Sequence, residues 1–89
     1  MTERISGAQM RAARALLRWT ALDLANASKV GVATIRRVEV VDGDISATKA
    51  NQAALRHALE AAGVEFIDEN GGGVGVRLRK PSGTTPKTK

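Results

Sequence analysis

The chain has 89 residues, no cysteine and a formal net charge of +5 at pH 7, with one Trp, one Phe and no Tyr. That length suits a single domain with a modest, mainly aliphatic core. The absence of cysteine excludes a disulfide framework and thiolate metal sites; with no signal-peptide pattern and no apolar run of membrane-spanning length, the expectation is a soluble cytoplasmic protein.

The charge is segregated along the chain. Residues 1–37 carry seven basic and two acidic side chains, residues 38–76 two basic and seven acidic, and residues 77–89 five basic and none acidic. A basic N-terminal part suits a polyanion, and the acidic middle is expected to face away from it.

In chain order, Ser6-Gly7-Ala8-Gln9 has the form of a capping box and opens a helix to Leu17, with Met10, Ala13 and Leu17 on one face and Arg11 and Arg18 on a solvated one. Thr20-Ala21-Leu22-Asp23 is a second box-like start, for a short helix over residues 22–27. Residues 28–31 read as a tight turn. A third helix follows from Val32 to about Val40, with Ile35 and Val38 inward. Asp42-Gly43-Asp44 is a loop, and Thr48 caps a fourth helix over residues 49–62, whose apolar stripe is Leu55, Ala58, Leu59 and Ala62. Gly63 is a stop signal. The period then changes to that of two short strands, over residues 64–67 and 74–79, around Asn70 and a triple glycine. Residues 80–89, with two Pro, three Thr and three Lys, read as a disordered basic tail. The domain reading is therefore 1–63 for a helical domain, 64–79 for a β-hairpin extension and 80–89 for the tail.

Little here points to catalysis. There is no nucleophile–base pair, and the chain has one histidine, His57, expected at the surface of the fourth helix. No second His or Cys supports a metal. Gly71-Gly72-Gly73 lacks the Lys and Ser/Thr of a phosphate-binding loop and does not open a helix. No cofactor is expected, and the chain reads as a non-enzyme. Trp19, between the first two helices, reads as a core or hinge filler.

Two short helices joined by a tight turn, inside a small bundle with a basic face, form an arrangement that lets a helix enter the major groove. Asp23-Leu24-Ala25, Val30, Thr34-Ile35-Arg36-Arg37-Val38-Glu39 and the Ala-rich helix before them resemble the XRE (Cro/C1-type) family of helix-turn-helix transcriptional regulators, over roughly residues 5–63. Gly63-Val64-Glu65-Phe66-Ile67 and the glycine hairpin resemble a short C-terminal extension found in a bacterial subset of it. The resemblance implies a mainly α, lambda-repressor-like bundle of four to five helices with a C-terminal hairpin. It implies a dimeric repressor that binds a palindromic operator in double-stranded DNA through the helix over residues 32–38. Base-edge positions fall on Val32, Ala33, Arg36 and Arg37, and the DNA-binding set also takes in Thr20, Lys29 and Thr34. Arg pairs bidentately with guanine, and Val32 and Ala33 suit a thymine methyl; the bland alternative for Arg36 and Arg37 is phosphate contact alone. The resemblance also implies a buried ion pair between Arg14 and Glu39.

The chain departs from that pattern in three places. Ala21 stands where the family has a phosphate-contacting Gln. Lys29 replaces the turn glycine, so it either takes a positive φ or the turn differs. Gly31 replaces the Ser/Thr cap of the third helix. Two strands alone are marginal, so the hairpin is expected either to pair with a second copy, burying Phe66, Val74, Val76 and Leu78, or to fold back on its own bundle. A different class of function on the same fold is a protein-interaction module, antiactivator- or antitoxin-like, that offers a regulatory protein partner the acidic surface of residues 38–76.

Overall fold

Three of the four helices begin where the sequence supplies a side-chain cap. In the computed structural model, which describes residues 4–79, these are α1 (Gly7–Leu17), α2 (Ala21–Ser28) and α4 (Lys49–Ala61), with α3 (Val32–Glu39) between the last two. The Ser6 hydroxyl accepts from the Gln9 amide at 2.9 Å, and the Gln9 side chain accepts from the Ser6 amide at 2.9 Å. Thr20 and Asp23 reciprocate in the same way at 3.0 and 2.9 Å. Thr48 accepts from the Asn51 amide at 3.0 Å. Each cap satisfies amides that a helix start leaves without a partner. Gly63, at φ 113°, then turns the chain out of α4 and into the antiparallel hairpin of β1 (Val64–Ile67) and β2 (Gly75–Leu78). The described residues thus form a mainly helical domain of four helices and a two-stranded sheet.

The core gathers one face of every element. Ile5, Met10, Leu24, Ile35, Leu55, Leu59 and Val64 are the large side chains fully withdrawn from solvent. The hairpin takes the second of the two courses open to it and folds back on its own bundle, with β1 against α4 and β2 against α1. Phe66 is therefore buried within one chain, opposite Val76 in the register, and the Arg56 guanidinium lies 5.0 Å from its ring centroid. Neither Phe66 nor Val76 waits for a second copy to cover it: a two-stranded sheet needs one apolar surface behind it, and α1 and α4 supply that. Val74 and Leu78 remain 49% and 51% exposed. Because Val64 and Phe66 belong to the same core as the helices, residues 64–79 are part of the domain rather than an appendage. The tail expected over residues 80–89 lies outside the described residues.

Gln9 fastens the hairpin to α1. Its side-chain Nε2 donates to the carbonyls of Gly75 at 3.0 Å and Ile67 at 3.4 Å, one on each strand. Arg11, its side chain 41% exposed, stays on the solvated face expected for it but is engaged there. Its guanidinium donates to the carbonyls of Glu39 and Val41 and pairs with Asp42, so a cation sits on the negative end of α3. Gly7 allows this approach, because a Cβ there would run into the Val41 carbonyl.

The strongest link between α1 and α3 is the pair of Arg14 and Glu39. Nε and Nη2 of Arg14 each donate to a carboxylate oxygen of Glu39 at 2.8 Å, and Nη1 donates to the Trp19 carbonyl at 2.9 Å. The hydrogen bond to Glu39 raises the Arg14 guanidinium above its ordinary value, with burial opposing. The side chains are 22% and 7% exposed, so the carboxylate is the deeper partner. Removing either should cost several kcal/mol, since it strands the other in the interior. The asymmetry in depth sets an order. Glu39→Ala leaves a partly hydrated arginine and should lose about 3 kcal/mol, whereas Arg14→Ala leaves the deeper carboxylate and should lose closer to about 5 kcal/mol. Denaturant unfolding of both variants checks this; equal small losses, below about 1 kcal/mol, would place the pair among surface ion pairs.

Candidate nucleic-acid interface

A turn of three residues, Lys29-Val30-Gly31, joins α2 to α3. Lys29 ends α2 at φ 65°, ψ 18°, its amide donating to the Ala25 carbonyl. The lysine therefore holds the left-handed conformation that the sequence left open as one alternative, a backbone state that costs a residue bearing a Cβ about 1 kcal/mol. Val30 plugs the core beneath the turn, and its amide donates to the Ser28 hydroxyl at 3.1 Å. Gly31 stands at the N-cap of α3 at φ −60°, ψ 142°, with no side chain to cap the helix.

Helical spacing then sorts α3 into two stripes. Ile35, Val38 and Glu39 are buried. Ala33, Arg36, Arg37 and Val40 recur at intervals of three, one and three residues, and all four are exposed, Val40 at 78%. Val40 keeps helical backbone angles at the C-cap, so it completes the outward stripe. Of the positions expected to meet DNA, Thr20, Lys29, Ala33, Arg36 and Arg37 are exposed, while Val32 and Thr34 are half-buried. Thr20 keeps its place at the start of α2, and Ala21 is buried.

The partners of the basic side chains give this surface its electrical character. Arg4 pairs with Asp44, Arg11 with Asp42, Arg14 with Glu39, Arg56 with Glu60, and Arg77 with Glu65. Arg79 donates to the Glu60 carbonyl. Among the described residues, the Lys and Arg side chains that make no hydrogen bond or ion pair are Arg18, Lys29, Arg36, Arg37 and Lys49. Three of them lie on the turn and on α3. Arg36 lines a shallow groove of about 640 Å³ shared with Arg14 of α1 and Ala21 of α2. Arg37 lines another of about 400 Å³ at the start of α4, beside Thr48 and Asn51. The two arginines of the stripe thus border different neighbours, α1 and α2 for Arg36 and the start of α4 for Arg37.

The acidic residues gather in a cluster of their own, of which Asp42 also borders the groove of Arg36. Asp42, Asp44, Asp68 and Glu69 line one cleft of about 500 Å³ between the loop after α3 and the hairpin loop, with Arg4. Among the described residues no group of His, Cys, Asp and Glu is arranged to hold a metal, and no helix is long and apolar enough to cross a membrane. Compared with family models, with curated proteins and with solved structures, the chain matches none.

The absent cap of α3 is open to test. A side chain at Gly31 would meet no atom within 4 Å, and φ there suits any residue. Gly31→Ser should supply the missing cap and reduce the freedom of the unfolded chain, raising stability by about 0.5–1 kcal/mol. A thermal melt checks it, and a variant less stable than the parent would contradict the cap geometry.

Proposed function

We propose that the chain is a sequence-specific regulator of transcription that binds double-stranded DNA by laying the outward stripe of α3 in the major groove, as a lambda-repressor-like, XRE-type helix-turn-helix protein does. The observation that carries this reading is the set of unpartnered cations. Most of the described arginines are bound to carboxylates or carbonyls of the chain itself, whereas Lys29, Arg36 and Arg37 are left open on one short helix and the turn before it. An unneutralised, exposed cation is what a phosphate backbone or a guanine edge requires. The capped start of α2, where Thr20 is exposed and the next residue, Ala21, borders the groove of Arg36, suits a crossing of the backbone. Repression through a palindromic operator adds a second copy of the chain, whose two-fold axis would match that of the DNA. Val74 and Leu78, half exposed at the hairpin, are the residues we assign to that contact.

A second reading has one observation in its favour. The cleft of Asp42, Asp44, Asp68 and Glu69 offers a cationic partner protein an acidic surface, which suits an interaction module on the same fold.

Arg36→Ala and Arg37→Ala decide between them. Each should weaken binding to a cognate duplex by about 1–3 kcal/mol in a gel-shift titration, with melting temperatures unchanged, since neither side chain has a partner in the fold. Unchanged affinity and sequence preference in both variants would overturn the assignment of α3.

A further inference from the structure

We infer that the outward stripe of α3 reads guanine and thymine, and carries no acceptor suited to the exocyclic donors of adenine or cytosine. This rests on the DNA-binding reading above. In the major groove guanine offers two acceptors, N7 and O6, and thymine offers the O4 acceptor and a methyl group. Adenine sets its N7 acceptor beside the N6 donor, and cytosine presents the N4 donor. Reading either donor calls for an acceptor on the protein, from Asn or Gln for adenine and from Asp or Glu for cytosine.

The stripe has donors and methyl groups. Arg36 and Arg37, and Lys29 in the turn before them, are side chains that only donate. Ala33 and Val40 add exposed methyl groups at its two ends. The acceptors of the neighbourhood are engaged or placed elsewhere. Glu39 is turned inward on Arg14, Asp42, which borders the groove of Arg36, is paired with Arg11, and Asp23 accepts from the Thr20 amide. Gln9 and Gln52 are buried. Asn26 belongs to α2 and Asn70 to the hairpin loop, and Asn51, which shares a groove with Arg37, belongs to the first turn of α4 and not to α3. The remaining polar group on α3 is the half-buried Thr34 hydroxyl, which both donates and accepts and so favours no base.

The full chain selects duplexes from a randomised pool, and the retained sequence is remade with 7-deazaguanine, 7-deazaadenine or deoxyuridine in place of the natural base. Guanine and thymine are expected at the contacted positions of each half-site. Loss of guanine N7 should weaken binding about tenfold, and loss of a contacted thymine methyl about fourfold. Loss of adenine N7 should leave it unchanged. Ala33→Gln places an amide at the exposed first turn of α3 and should make binding depend on adenine N7. Dependence of the parent chain on adenine N7, or indifference to guanine N7 or to the thymine methyl, overturns the inference and leaves the DNA-binding reading standing. An Ala33→Gln variant indifferent to adenine removes Ala33 from the base edge and overturns it likewise. A pool from which no duplex is retained overturns both.

Discussion

The bidentate contact between Arg14 and Glu39 is the constraint on which the rest of the structure depends. A helix of eight residues, such as α3, is too short to persist by itself, and this one starts from a glycine with no side-chain cap. Its position comes from Ile35 and Val38 in the core, from Arg11 on its last carbonyls, and from the carboxylate of Glu39 held by Arg14. The pair also settles the charge of the opposite face. Glu39 is spent inside on an arginine of α1, so the carboxylate nearest in sequence to Arg36 and Arg37 does not neutralise them. One inward contact thus fixes the helix and leaves its outer arginines open.

The separation of charge is finer than the totals of the three chain segments. Seven basic side chains fall in residues 1–37, but Arg4, Arg11 and Arg14 are matched to Asp44, Asp42 and Glu39. What remains open there is Arg18, Lys29, Arg36 and Arg37. Farther along, Arg77 lowers the Glu65 carboxyl, chiefly by hydrogen bonding to it, and that pair cancels on the sheet surface. Unneutralised cations are left on the turn and on α3, and at Arg18 at the end of α1.

What could be read from the sequence follows from how local each interaction is. The caps at Ser6, Thr20 and Thr48 span three residues, and the stripes of α1 and α4 repeat within one or two turns, so the residue pattern displays both. Lys29 was legible as a conflict between a bulky residue and a turn that wants positive φ, though its resolution was not. Arg14 and Glu39 lie 25 residues apart, and nothing in periodicity joins them; the family resemblance did. Gln9 reaches Gly75 across 66 residues, and Arg11 bonds to backbone carbonyls, which no residue type advertises. The fate of the hairpin was open because a second copy and the chain's own bundle would cover the same apolar row. Val40 was within reach of sequence reasoning, as the fourth member of the series Ala33, Arg36, Arg37 that runs one residue past the helix.

The central claim is that the open cations of the turn and α3 form the face that meets DNA, and that the acidic cleft does not. Titration of the isotope-labelled chain with a cognate duplex, followed by backbone amide NMR, tests it most directly. The account predicts that shifts concentrate on Thr20, Lys29, Ala33, Arg36 and Arg37 and diminish as salt is added, with Asp44, Asp68 and Glu69 unmoved. Shifts centred on those three acidic residues, or none on α3, would contradict it.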